Sequence, residues 1–375
     1  MSTPRLLPLL ACLLPLIACA PPPAPAYGPD EQGPALVGVR QLLLHDAARD
    51  RELAATFWYP AEAGAAPAGE PASALAHSAA QGDIYVQLLE AAPAGCPTAQ
   101  TRAGRDLPPK AEAPLPLVLF SHCLNCVGTS SFSVAERLAS HGFLVAAVDH
   151  TGNTLWDNLE GASTGMSVGV LDERVADQRF LLSALLDPAG PGLPAPLVGL
   201  ADPARVGALG HSFGGVTVGR LLQDDPRVHA AMAMAAPVEN SLLPGTEMAA
   251  IDRPILFLLA QEDNSISELG NGWIRDNFGA AVGPAWLIEV RDAGHWSFSD
   301  ICALTPTLVP GCGEAQRQTD PAQTFTYLPV ADGLQVAQSY AAAFFRATLD
   351  DDAEARGWLN GAQPELPVTM ERWEP

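Results

Sequence analysis

Val206-Gly207-Ala208-Leu209-Gly210-His211-Ser212-Phe213-Gly214-Gly215-Val216-Thr217-Val218 is the stretch that decides the fold. An apolar run of strand type, 206–209, leads into a G-x-S-x-G motif, and an apolar helical pattern, 214–223, leads out of it. A serine between a buried strand and a helix sits on a sharp turn. That turn presses the residues two before and two after it together, so both must be small. Gly210 and Gly214 meet the condition. The pattern occurs again at Gly161-Ala162-Ser163-Thr164-Gly165, with no strand before it and no helix after it. Ser212 is therefore the candidate nucleophile and Ser163 a chance match.

Outward from this turn, strands and helices alternate. The run 115–121 is continuously apolar, as in a strand buried on both faces of a parallel sheet. Ser133-Val134-Ala135-Glu136 reads as a capping box opening a helix, with Gly142 as its stop. A strand is expected at 143–148, an irregular stretch at 151–170, a helix at 171–186, and strands at 228–235, 255–259 and 286–290. A short helix falls at 273–278 and a closing helix at 336–349. Two strands, 37–45 and 53–59, precede this series. The Ala-, Pro- and Gly-rich stretch 61–114 reads as an insertion, helical around 83–89, or a flap. This alternation predicts an α/β fold, a mostly parallel central sheet with helices on both faces, spanning 37–355. Residues 356–375 read as a C-terminal tail.

Composition agrees. The chain has 375 residues, 48% hydrophobic and 17% charged, which supplies a core and excludes a disordered chain. Its net charge of −22 opposes nucleic-acid phosphates, so DNA and RNA are excluded as partners. No glycine-rich phosphate or dinucleotide loop is present, and no cofactor is expected.

A serine hydroxyl needs a base beside it. In this topology the base follows the nucleophile, which leaves His229 and His295. His229 falls at the start of a strand. His295 follows the last strand in Asp292-Ala293-Gly294-His295-Trp296, where a loop can carry its ring over Ser212. The acid that orients the imidazole is expected at Asp263, just past the carboxyl end of strand 255–259. Glu262 is the runner-up and Glu239 a second alternative. Asp292 reads as a solvated charge. The oxyanion hole takes the amide of Phe213, which follows the nucleophile, and that of Leu124 in the turn after the first buried strand, with Cys123 second. Trp156, Leu155, Met166, Phe213 and Trp296 are candidates for an apolar substrate cleft. His122, Cys123 and Cys126 lack the second ligand pair of a metal site; Cys123 fills a tight turn, and no metal is expected. Of the remaining cysteines, Cys302 and Cys312, ten apart across a proline-containing loop, are the expected disulfide. Cys96 with Cys126 or Cys123 is a weaker pairing.

Phe120-Ser121-His122, Ala139-Ser140-His141-Gly142-Phe143 and Asp202-Pro203-Ala204-Arg205-Val206 running into the elbow resemble the platelet-activating-factor acetylhydrolase and dienelactone-hydrolase-like branch of the α/β-hydrolases. The segment 261–266 is also similar to bacterial polyester hydrolases and cutinases, whose acid sits there. The resemblance covers roughly 36–350. It implies a serine hydrolase acting on small-molecule or lipid esters. Two positions depart from it. The stretch Met232 to Pro237, where phospholipase-like members carry the acid, has none. Cys123 stands where a glycine usually follows the oxyanion-loop histidine. A peptidase of the same fold and a non-catalytic binding lipoprotein are the rival readings. The first normally brings a propeller or cap that this length cannot hold. The second has no need of all three residues.

The N-terminus has one charge, Arg5, followed by an apolar run that is too short to span a bilayer and ends at Leu16-Ile17-Ala18-Cys19. It resembles a bacterial lipoprotein signal (1–18) with Cys19 lipidated and a Pro-rich tether over 19–36. Membrane attachment through lipid in the cell envelope, by family rule at the outer membrane, is expected. Removal of 1–18 takes Arg5 with it and leaves a net charge of −23.

Overall fold

The computed structural model describes residues 27–62, 69–110, 114–187, 193–194 and 196–375. The expected signal and Cys19 lie outside them. The core is a ten-stranded sheet. In chain order its strands are β1 (Leu36–Asp46), β2 (Arg51–Ala61), β3 (Gly104–Arg105), β4 (Leu115–Ser121), β5 (Leu144–Val148), β6 (Ala201–His211), β7 (Ala230–Met234), β8 (Ile255–Ala260), β9 (Ala285–Val290) and β10 (Val368–Trp373). Across the sheet they run β10-β9-β8-β7-β6-β4-β5-β2-β1-β3. From β9 to β5 every pairing is parallel; β2 pairs antiparallel with β5 and β1, β10 pairs antiparallel with β9, and β3 joins β1 in parallel. The helices are α1 (Ala79–Ala91), α2 (Phe132–Ser140), α3 (Leu155–Leu159), α4 (Val168–Leu186), α5 (Phe213–Asp224), α6 (Ser267–Gly279), α7 (Val330–Leu349) and α8 (Ala353–Asn360).

Strand alternation divides the core in two. On β4, Val118 and Phe120 point to the face covered by α2 and α7, with Phe132, Tyr340 and Phe344. Leu117 and Leu119 point to the face covered by α4 and α5, with Leu182 and Leu221. Both clusters are fully buried, which explains the unbroken apolar runs in the sequence. The expected α/β-hydrolase architecture is present.

Several expectations need correction. Ser133 does not cap α2: the N-cap is Ser131, without a side-chain bond. Ser133 donates its amide to Asp300 (2.9 Å), and Glu136 accepts the hydroxyl of Thr101 and the amide of Arg102 (3.1 Å). A carboxylate with a tertiary partner has no reason to turn back to its own helix. The stretch 356–375 is not a tail. It completes α8 and adds β10 antiparallel to β9. Only Val368 and Met370 of that edge strand pack against the core, and its remaining residues are exposed, so its apolar alternation is too short to announce a strand. Residues 27–36 are docked instead of tethering: the Gly33 amide donates to Ser140 Oγ (3.0 Å), and Arg137 reaches the Pro29 carbonyl (3.2 Å). A Cβ at Gly33 would strike the Ser140 carbonyl. The insertion 61–114 is helical at α1.

The expected Cys302–Cys312 disulfide does not form. Cys302 is a free thiol, wholly buried in the core, and burial pushes its pKa up to about 12. Cys312 turns outward to the insertion and joins Cys96; Cys123 joins Cys126. Spacing along a loop says nothing about which way each side chain faces.

Candidate active site

Strand β6 delivers Ser212 at its carboxyl end, directly before α5. Ser212 adopts φ 55° and ψ −124°, a backbone region that non-glycine residues avoid. Packing enforces it. A Cβ at Gly210 would run into the Gly214 carbonyl, and one at Gly214 into the Ser121 carbonyl. The Ser212 amide is held by the Met234 carbonyl (2.8 Å). The elbow thus locks against both neighbouring strands, β4 and β7.

His295 lies in the loop after β9. Its Nε2 is 2.8 Å from Ser212 Oγ and its Nδ1 is 2.7 Å from Asp263 Oδ2. Asp263, fully buried just past β8, accepts the amides of Ser265 and Ile266 on Oδ1, each at 3.0 Å. These bonds fix the tautomer: the carboxylate accepts a hydrogen bond from Nδ1–H, and the Nε2 lone pair faces the serine. The alternative acids point elsewhere. Glu262 accepts Arg317 Nη1 (2.8 Å) and the Gln318 amide (2.9 Å). Glu239 accepts the Met248 amide (2.6 Å), and Asp292 pairs with Arg317 (2.7 Å). His229 accepts the Val206 amide (3.3 Å) midway along β6, six residues before Ser212.

Phe213 opens α5, and its amide, like that of Leu124, donates to no group among the described residues. Both line the cleft that holds Ser212 and His295. The cleft encloses about 390 Å³ and is walled by Val216, Leu243, Ile266, Trp273 and Trp296. Among the described residues no lysine, arginine or carboxylate lines it. Exposed Met166, Leu242 and Leu269 form part of its rim. Trp296 stands edge-on to His295, ring centroids 4.9 Å apart. Trp156 and Leu155 are corrections. Trp156 lines a separate crevice with Tyr85, His77 and Asp149, and Leu155 is buried core. The short helix α3, capped by Thr154 and Asp157, turns that face away from the cleft.

Sequence reading missed two supports. His211, the variable residue of the elbow motif, donates Nε2–H to the His295 carbonyl (2.8 Å) and packs against both His295 (tilted, 5.1 Å between centroids) and Trp296 (edge-on, 5.3 Å). Burial pushes its pKa down to about 3, so it stays neutral. Its place inside the motif was the available signal. Arg174 on α4 is buried behind the turn that follows β4, bonded to the His122 carbonyl and to Asn153 Oδ1 (2.6 Å), with Phe213 stacked on it. Nothing in the helical pattern marks it. A second serine–histidine–aspartate line lies beside it: Ser121 Oγ to His150 Nε2 at 3.0 Å, and His150 Nδ1 to Asp177 Oδ2 at 2.9 Å. All three residues are sealed from solvent. This line ties together the carboxyl ends of β4 and β5. Ser163, the rival serine, donates to Asn125 Oδ1 (2.6 Å) and so braces the turn after β4 from outside.

Comparison with known proteins agrees with this architecture. The platelet-activating factor acetylhydrolase, isoform II, family matches residues 26–156. Platelet-activating factor acetylhydrolase of Canis lupus familiaris is 25% identical over 234 residues, 52% of this chain and 50% of that protein. Lipase 1 of Moraxella sp. (strain TA144) is 27% identical over 177 residues, 45% of this chain and 46% of that one. The chain spans about half the length of these curated relatives. Among solved structures, a ferulic acid esterase from Streptomyces cinnamoneus aligns over 93% of this chain and 98% of its own, with TM-score 0.65 and 24% identity.

Proposed function

We propose that this chain, an α/β-hydrolase similar to the platelet-activating factor acetylhydrolase branch, is a serine hydrolase of carboxylic esters. One observation carries the reading: an unbroken hydrogen-bonded line from Ser212 through His295 to Asp263 at the wall of an apolar cleft. Ser212 Oγ attacks the ester carbonyl while His295 Nε2 takes its proton. Asp263 holds the imidazolium that forms. The carbonyl oxygen, now negative, is received by the amides of Phe213 and Leu124. His295 then protonates the leaving alcohol. Water, deprotonated by the same nitrogen, releases the acid from the acyl-serine. The uncharged lining favours neutral, apolar esters, since a charged group in the cleft would lose its water without gaining a partner. Similarity to acetylhydrolases and a lipase supports the ester bond as the target.

We further propose that the chain is exported and lipid-anchored at Cys19. The support is the charge and apolar pattern of residues 1–19. Incorporation of a fatty-acid analogue, absent in Cys19→Ser, checks this.

Ester cleavage is tested with p-nitrophenyl acetate and a fluorophosphonate probe. Ser212→Ala is expected to lose turnover by at least about 10³-fold and to take no probe. Ser163→Ala keeps turnover within a few-fold of the parent. Probe labelling that survives Ser212→Ala excludes the assignment, and a parent chain that neither turns over nor labels favours a binding protein.

A further inference from the structure

Leu124, the second oxyanion donor under the reading above, lies inside a four-residue ring. The Cys123–Cys126 disulfide closes around Leu124 and Asn125 and spans 5.2 Å between Cα atoms. Both cysteines are completely buried, whereas Leu124 and Asn125 face the cleft. Asn125 is left-handed, φ 57°, a conformation that asparagine tolerates better than most non-glycine residues. The Cys123 carbonyl is gripped twice. His122 Nδ1–H donates to it at 2.7 Å, and the Cys126 amide reaches it at 3.3 Å. His122 has no freedom to let go. Its Nε2 accepts the His150 amide (2.9 Å), and burial holds the ring neutral, far below the usual histidine pKa. The Cys123 carbonyl and the Leu124 amide belong to one planar peptide unit and point in opposite directions. Fixing the carbonyl inward aims the amide outward, at the space beside Ser212.

We propose that the Cys123–Cys126 disulfide is a positioning device for the oxyanion donor: it locks the Cys123–Leu124 peptide plane where a glycine would leave it free to turn. The inference rests on the esterase reading. The disulfide makes no contact with substrate and acts through the Leu124 amide. Its loss lowers stabilisation of the tetrahedral intermediate while ground-state binding in the cleft persists.

The test compares the parent chain with Cys126→Ala and with Cys123→Ala/Cys126→Ala. Four quantities are read: kcat and KM for p-nitrophenyl acetate, inhibition by a boronic acid whose adduct on Ser212 places an oxygen in the hole, and thermal midpoint. The proposal expects kcat to fall about 10- to 100-fold. KM stays within about threefold, and the boronate inhibition constant rises by the same factor as kcat falls. A lowered thermal midpoint with kcat and boronate inhibition unchanged overturns it and leaves a merely structural bond. Should those variants fail to fold, Cys96→Ala/Cys312→Ala keeps Cys123–Cys126 as its only disulfide among the described residues. Treatment with a phosphine, which is oxidised as it reduces the bond to two thiols, is then expected to produce the same loss. Unchanged kcat after alkylation of both freed thiols overturns the proposal. A parent chain that neither cleaves the ester nor forms the boronate adduct refutes the esterase reading itself, and the proposal falls with it.

Discussion

Ser212 at φ 55° is a residue held against its own preference, and the surrounding contacts explain why it stays there. Asp263 shows how one side chain sets chemistry at another. Its Oδ1 is committed to the amides of Ser265 and Ile266, and only Oδ2 faces His295. In Asp263→Asn the side-chain oxygen keeps those amides and turns the NH2 toward His295. The imidazole proton is driven to Nε2, and the lone pair that Ser212 needs is lost. We expect kcat to fall by about 10³- to 10⁴-fold with KM little changed; a loss under tenfold would show that His295 keeps its tautomer without the carboxylate. His211→Leu removes the donor from the His295 carbonyl and leaves that carbonyl unpaired in the interior. A stability loss of about 1–3 kcal/mol in urea unfolding is expected, with a fall in kcat larger than any change in KM.

Elements explain which local readings succeeded. Strands β4, β8 and β9 were legible because both faces are buried, so nearly every position is apolar, Ser121 and Glu289 excepted. The elbow was legible because its steric requirement is local: Gly210 and Gly214 are four residues apart and touch. Gly214→Ala tests this. Its Cβ meets backbone, not a movable side chain, and soluble expression should collapse or stability drop by about 3 kcal/mol or more. The α2 capping box misled because Glu136 finds a partner from the insertion, 34 residues away. At the end of β5, Asp149 is fully buried and bonded to the Gly128 amide (2.6 Å). Burial is the main cause that lifts its pKa from 3.8 to about 7. The folded state therefore holds this proton where the unfolded chain releases it. Its contribution is complete below about pH 4 and is lost as pH rises through about 7. Asp149→Asn stays neutral throughout and should gain urea stability on the parent between pH 5 and pH 8. An equal difference at both pH values would contradict it.

At the scale of the molecule, the Cys96–Cys312 disulfide joins residues 216 apart and ties the insertion to the loop beside His295, where the Pro310 carbonyl accepts the Trp296 amide (2.8 Å). Cys96→Ser/Cys312→Ser should lower unfolding stability by about 2–5 kcal/mol and lower the urea midpoint, while p-nitrophenyl acetate turnover at 25 °C remains within a few-fold. The net charge of −22 and the uncharged cleft both favour neutral over anionic esters; a matched pair of substrates differing by one carboxylate should show kcat/KM at least about tenfold higher for the neutral member. Local sequence was enough for the alternation of strands and helices, the elbow, and the placing of Ser212, Asp263 and His295 at strand ends. Each depends on periodicity or on sterics within a few residues. Tertiary structure alone decided that Cys312 meets Cys96, that Trp156 faces another crevice, that Glu262 turns to Arg317, and that the carboxyl-terminal stretch closes the sheet. These depend on side-chain direction after distant segments have packed. A step of one residue on a strand or loop reverses that direction without changing composition or pattern.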